Sequence, residues 1–349
     1  MPLATLFYGW MPQKKIREFY PSEKVEIIFI GNAECSDIAK ICPYWNKFIP
    51  IDKDKYFRNI FYRWLVRGRL LLKRNISECI CPTYSRDFVA DKLMRFIRAK
   101  RKVAVKSNDL SNITTDLLNA SNGHYTEFIS FQSEENELII NNIFINKLLH
   151  LKSDPGLADL SFVENEPLFA DLQKKHNLPD KYFLFFPYTG EKFKNWQISN
   201  FKQLAERLDG TQILFCGKEK KHTTLKCNNV IDLVNKTSLI ELCVLISKSH
   251  LAVTGDSCAA HIAAAMRIPS VCILGGGHFG RFLPYNLDKS KYRNLLISVY
   301  NKMDCFNCNW KCKYTGDKAF SCVSSITVDQ VWKVIEKTVS KKEGENELS

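Results

Sequence analysis

Residues 254–266 read Thr254-Gly255-Asp256-Ser257-Cys258-Ala259-Ala260-His261-Ile262-Ala263-Ala264-Ala265-Met266. The run His250–Val253 before them is strand-like, Gly255 offers a turn, and an alanine-rich stretch of helical length follows. Strand, turn and helix in that order form the repeating unit of a parallel α/β sheet. Asp256 or Ser257 suits the helix N-cap, so backbone N–H groups and the positive helix end face the strand's carboxyl edge. Ser257 and His261 are four residues apart and share one helix face. Two meanings fit. Such an edge is where a nucleotide diphosphate binds in open α/β sheets, and it is equally a capped core helix with a satisfied histidine.

Outward from this stretch the same alternation recurs. Strand candidates are Val25–Ile30, Glu78–Cys81, Lys102–Val105, Tyr182–Phe186, Gln212–Cys216, Val230–Leu233, His250–Val253 and Ser270–Leu274. Helical patterns lie between them, among them Asn200–Leu208, Leu239–Lys248 and Ser257–Met266. Near-continuous apolar strands separated by helices predict parallel sheets covered on both faces. The stretch from Ser107 to Asn177 is rich in Asn, Ser and Asp, with one good helix at Glu134–Leu151 and a turn at Lys152–Gly156. A chain of 349 residues exceeds what one core usually supports. A boundary is therefore expected near residues 155–178. It gives an N-terminal domain over 1–160, a C-terminal domain over 161–340 and a charged, disordered tail over 341–349.

Three further strand ends carry polar groups suited to phosphate. Phe185-Phe186-Pro187-Tyr188-Thr189-Gly190 leads into Glu191-Lys192-Phe193-Lys194-Asn195-Trp196. A hydroxyl and lysines at a strand's carboxyl edge can hold phosphate oxygens. Phe215-Cys216-Gly217-Lys218-Glu219 ends the next strand. Leu274-Gly275-Gly276-Gly277-His278-Phe279-Gly280-Arg281 follows the last, with glycines that permit close approach of a ligand and His278 and Arg281 to meet its anionic end. Four such ends on one sheet constitute a site.

The combination Pro187…Thr189…Lys194-x-Trp196, Asp256-Ser257-x-x-x-His261 and Gly275-Gly276-Gly277 with Pro284 resembles glycosyltransferase family 9, the bacterial heptosyltransferase family. Tyr84-Ser85-Arg86 and Cys305-x-x-Cys308-x-Trp310 look like the surface-polysaccharide branch of that family. The resemblance implies a GT-B architecture, two Rossmann-like domains facing across a cleft. It also implies an inverting, metal-independent transfer from a nucleotide-diphosphate sugar, heptose or related, to a lipopolysaccharide core or other surface-glycan acceptor. Carried over by position, Thr189 and Lys194 contact the donor phosphates. Asp256, Ser257 and His261 line the donor sugar and diphosphate, Glu219 lies near the nucleoside, and Gly276 and His278 complete the donor side. The family's opening strand and Gly/Asp loop, whose acid serves as general base, is missing here, because Leu3–Tyr20 already reads as a helix. Asp37 and Asp87 are the replacement candidates for that base.

Charge adds a partner class. The chain carries 50 Lys and Arg against 37 Asp and Glu, a net +13. Lys53–Lys106 alone holds sixteen cations and four acids, so almost the whole excess sits there. Such a surface suits anionic lipid or acceptor phosphates. Within it Phe57, Ile60, Phe61, Trp64, Leu65, Leu71 and Leu72 fall at helical spacing between arginines. The helix either lies in an anionic bilayer interface or packs its stripe on the first sheet. A groove-reading motif or stacking ladder for nucleic acid is missing. With no signal-peptide pattern and no apolar run of spanning length, the expectation is a cytoplasmic protein, peripheral on the inner face of the inner membrane.

Of thirteen cysteines, Cys305, Cys308, Cys312 and Cys322 cluster near the C-terminus. Their spacing is compatible with a structural zinc knot, with buried free thiols or with one local disulfide. No cofactor is expected for catalysis itself. Two other functions stay open. One is a sugar-nucleotide-binding relic without the N-terminal base loop, and the other is a zinc-stabilised nucleic-acid binder.

Overall fold

The computed structural model describes residues 13–107, 114–131, 136–222, 224, 227–292, 295–313 and 319–346. The chain divides into two compact units, Met1–Gly156 and Leu157–Ser349.

The first unit holds β1 (Ile28–Asn32), β2 (Lys47–Ile51), β3 (Ile76–Cys81), β4 (Ala99–Val105) and β5 (Glu127–Ile129). β1 and β2 pair in parallel, and β3, β4 and β5 form a second parallel sheet in that order. β4 carries Val103, Ala104 and Val105 wholly buried, the pattern of a parallel strand covered on both faces. Helix Glu137–Leu149 buries Ile140, Phe144, Ile145 and Leu148 with Val103, Val105 and Ile129. Residues 13–19 are helical and Tyr20 is a bend; residues 3–12 of the helix expected over Leu3–Tyr20 lie outside the described residues.

Tyr84-Ser85-Arg86 is core here. Arg86 is fully buried and donates to both carboxylate oxygens of Asp91, to Ser121 Oγ and to Asn122 Oδ1, at 2.6–3.1 Å. Its guanidinium lies 4.7 Å from the Tyr125 ring centre. Buried charge persists only when paired and hydrogen-bonded in this way.

The second unit holds β6 (Phe183–Phe186), β7 (Ile213–Phe215), β8 (Val230–Asp232), β9 (Leu251–Gly255), β10 (Ser270–Ile273) and β11 (Leu296–Val299). They form one parallel sheet in the order β11-β10-β9-β6-β7-β8. The four central strands are buried at every residue, as their unbroken apolar sequences require. The chain winds outward from β6 through β7 to β8, then returns to β9 on the other side of β6. β6 and β9 therefore flank the topological switch point, where the carboxyl ends of an open sheet leave a crevice. Register places Phe186 opposite Thr254 and Ile273 opposite Gly255, so these three strands end level. Trp196 is buried against Phe201 and donates through Nε1 to the Ile326 carbonyl at 2.8 Å.

Eight strand candidates are strands, with ends displaced by up to three residues. Three strands escape the pattern. β2 contains Pro50, β5 has three residues, and β11 is a half-buried edge. The helical spacing over Tyr56–Lys73 resolves into two helices, Lys53–Arg58 and Ile60–Leu71. Asn59 separates them and caps the second by accepting from the Tyr62 N–H at 3.0 Å. Helix Val328–Asn346 runs into the tail expected to be disordered from 341, and 347–349 lie outside the described residues. No described helix is long and apolar enough to cross a membrane.

Candidate functional site

The switch point brings a cation and an acid together. Lys194 follows β6 in the turn Lys192–Lys194 and Asp256 follows β9; Lys194 Nζ lies 3.1 Å from Asp256 Oδ2. Both side chains are mostly but not wholly covered. Beneath them Trp310 offers its ring face to Lys194, with Nζ 4.4 Å from the ring centre. Trp310 Nε1–H donates to His278 Nδ1 at 3.2 Å, which leaves a neutral His278 with its proton on Nε2.

Thr189 shapes the loop after β6. Asn195 Oδ1 accepts from the Thr189 N–H at 2.7 Å and lies 2.9 Å from Thr189 Oγ1. The Thr189 methyl would sit 2.8 Å from any Cβ on Gly255, so close approach of the β6 and β9 loops is what demands glycine at 255. Ser257 is the N-cap residue of helix Cys258–Ala265, yet its hydroxyl does not cap. It shares a 3.0 Å hydrogen bond with Thr254 instead. The first-turn N–H groups of that helix therefore point to the strand edge without a side-chain cap from Ser257.

His261 lies in the core one turn further on, with Nδ1 2.7 Å from the Tyr285 hydroxyl. Burial pushes its imidazole down to about 4, with Asp256 working against that and Lys194 with it. It is a neutral support for the helix, and it brings no positive charge to a diphosphate.

The glycine loop also has a reason other than a ligand. A Cβ on Gly276 would fall 2.2 Å from the Phe306 ring, and one on Gly277 would fall 2.2 Å from Trp310. Asn307 N–H donates to the Gly276 carbonyl at 2.8 Å and Asn309 N–H to the Gly277 carbonyl at 2.9 Å. These glycines admit the aromatic loop 306–310, whose residues Asn307, Asn309 and Trp310 all take positive φ. Gly276 is thus fitted to Phe306 and Gly277 to Trp310.

Glu219 stands apart from this group, on the loop after β7. Its Oε1 accepts from the Lys221 N–H at 3.0 Å, and its own N–H donates to Asn235 at 3.0 Å. Nearby is a chain the sequence did not suggest. Tyr188 OH lies 3.0 Å from His222 Nδ1, and His222 Nε2 lies 2.5 Å from Asp232 Oδ2. It joins the carboxyl ends of β6 and β8; no motif marks it, since its members are 10 and 34 residues apart.

The two replacement candidates for the base, Asp37 and Asp87, lie in the first unit. Asp87 caps helix Phe88–Met94, accepting from the Val89 and Ala90 N–H groups, and Lys53 pairs with it at 2.6 Å. Asp37 is exposed in the first turn of helix Ser36–Ile41. Cys305, Cys308, Cys312 and Cys322 are not joined in disulfides. Burial raises the Cys322 thiol, a Gly276 backbone hydrogen bond opposes the rise, and charge on Cys305, Cys312 and Cys308 adds to it. Among the described residues, however, no group of three or more His, Cys, Asp or Glu is disposed to hold a metal ion.

A doubly wound parallel sheet with this strand order and switch point fits the GT-B fold, and that is the fold of this chain. Residues 151–311 match the family model described as glycosyltransferase family 9 (heptosyltransferase). The fold is similar to a glycosyl transferase family 9 protein from Veillonella parvula DSM 2008, with TM-score 0.74, 17% identity, and 98% of this chain and 95% of that one covered. It is similar to the ADP-heptose lps heptosyltransferase II of E. coli, with TM-score 0.72, 15% identity and coverages of 98% and 97%. It is similar as well to the E. coli heptosyltransferase WaaC with ADP-2-deoxy-2-fluoro heptose, with TM-score 0.69, 15% identity and 97% of each chain covered. No curated protein matches the chain. The resemblance to glycosyltransferase family 9 thus holds in the family match over the second unit and in the fold over nearly the whole chain.

Proposed function

We propose that this chain transfers a heptose or related sugar from a nucleotide-diphosphate sugar to a lipopolysaccharide core or other surface glycan, by a single inverting displacement without a metal. The observation that carries this reading is the Lys194–Asp256 pair at the switch point, seated on Trp310 beside the uncapped start of helix Cys258–Ala265. As the sugar's anomeric bond breaks, negative charge grows on the departing diphosphate. Lys194 and the helix N–H groups are preorganised to meet it, which is the form of stabilisation that lowers such barriers most. Thr189, with its hydroxyl at the same strand end, would add a hydrogen bond to a phosphate oxygen. The Asp256 carboxylate would accept from sugar hydroxyls while it holds Lys194 in place.

A donor-binding protein without transfer is the second reading. The engagement of Asp87 as a helix cap, paired with Lys53, favours it. Thermal unfolding of the full chain with ADP, ADP-heptose and uridine sugars tests the site. Saturation at ~100 times Kd is expected to add about 2.7 kcal/mol for one nucleotide class. Lys194→Ala and Asp256→Ala are expected to abolish that gain, and absence of a shift with any nucleotide would overturn the donor site. Transfer to a glycolipid acceptor in EDTA then separates enzyme from binder. Activity lost to EDTA and restored by a divalent ion would refute the metal-free displacement.

A further inference from the structure

Helices Lys53–Arg58 and Ile60–Leu71 have two apolar faces rather than one. The inner face is Tyr56, Val66 and Leu70, buried with Ile49, Ile51, Val89 and Leu93. The outer face of Ile60–Leu71 is Phe61, Trp64, Leu65 and, at its C-cap, Leu72, which recur at three-, one- and seven-residue steps and so form a single stripe, with Phe57 exposed on the preceding helix. That stripe is in water. Phe61 is 82% exposed, Trp64 66%, Leu65 65% and Leu72 78%. Six of the ten large hydrophobic side chains exposed among the described residues belong to this segment of sixteen residues, counting Ile60. A surface helix ordinarily turns charge outward. Here Arg63 is drawn back to the Tyr56 and Phe57 carbonyls at 3.0 and 2.9 Å, and Arg67 lies over the Phe96 ring at 4.8 Å. Arg58 and Arg69, within these two helices, and Arg74 just after them remain exposed.

We propose that this outer stripe is a membrane-docking surface whose partner is an anionic lipid bilayer, with Phe61, Trp64, Leu65 and Leu72 entering the headgroup–acyl boundary and the exposed arginines meeting lipid phosphates. An exposed apolar ridge of this size marks a contact surface. Its chemistry is that of an interfacial helix, with aromatic and leucine side chains on the inserted face and cations beside it. Charge complementarity selects the occupant. Residues 53–106 hold sixteen cations and four acids, so a second copy docked on the same stripe would set two strongly positive surfaces against each other. Anionic lipid answers the apolar ridge and the exposed cations together.

The test is co-sedimentation of the full chain with vesicles of phosphatidylglycerol and phosphatidylethanolamine, set against vesicles of phosphatidylcholine alone, with size-exclusion chromatography of the same samples. The wild type is expected to bind the anionic vesicles, more weakly as salt rises. Phe61→Ser with Trp64→Ser is expected to reduce binding at least tenfold, without a change in unfolding temperature because both side chains are exposed. Arg58→Ala and Arg69→Ala are each expected to cost about fivefold. Binding left unchanged by the double variant, no preference for anionic vesicles, or a dimer that the double variant dissolves would each overturn the proposal. Failure of donor binding or transfer would leave these outcomes untouched, since neither Phe61 nor Trp64 belongs to the donor site.

Discussion

His261 illustrates how burial decides the chemistry of a single residue. The unfolded chain titrates this imidazole near 6.5, whereas burial holds the folded one at about 4. The folded state therefore refuses a proton that the unfolded state accepts. The stability this represents is fully present above about pH 6.5 and is lost as pH falls toward 4. Urea unfolding of the wild type is expected to lose about 2 kcal/mol more than His261→Gln between pH 7 and pH 5. Equal losses in the two proteins would show that His261 is not the group responsible. From the sequence, four-residue spacing put His261 on the Ser257 face of the helix. Which neighbours that face meets was beyond spacing, and the answer is Tyr285 and the core.

At the scale of elements, the loop Gly275–Gly277 and the cysteine segment act as one clamp under Lys194. The sequence showed the glycines, the four thiols and Trp310 as separate motifs. Their packing against one another joins residues 33 positions apart, such as Gly277 and Trp310, which no local pattern encodes. Gly277→Ala would drive its methyl into the Trp310 ring, so it is expected to cost about 1–3 kcal/mol and to weaken nucleotide binding by displacing the cation-holding face. Gly190→Ala, whose Cβ would meet nothing within 4 Å, is the control and is expected to be near neutral. Thermal unfolding and nucleotide titration of the two variants check this. A Gly277→Ala protein as stable as Gly190→Ala would refute the clamp.

At the scale of the whole molecule, the strongly basic segment 53–106 lies in the first unit and the switch-point crevice belongs to the second. Hydrogen exchange with and without ADP is expected to show the strongest added protection in residues 187–196 and 255–260. The strands β3–β5 are expected to change least. Protection concentrated in those strands would move the nucleotide site to the other unit.

Much of this architecture is local, and local structure is legible. The four central strands of the second sheet announced themselves because parallel strands covered on both faces must be apolar throughout. The strand–turn–helix at 254–266 was readable because glycine, a capping side chain and alanine each carry a backbone preference. Likewise the excess of cations in 53–106 is a property of composition alone. Tertiary structure decided the rest. It set Lys194 against Asp256 and Trp310, turned Asp87 into a helix cap, and buried His261 against Tyr285. It also gave helix Ile60–Leu71 an apolar face toward the core and a second toward the solvent. Periodicity tells which residues share a face, whereas what that face meets depends on contacts between segments far apart in the chain.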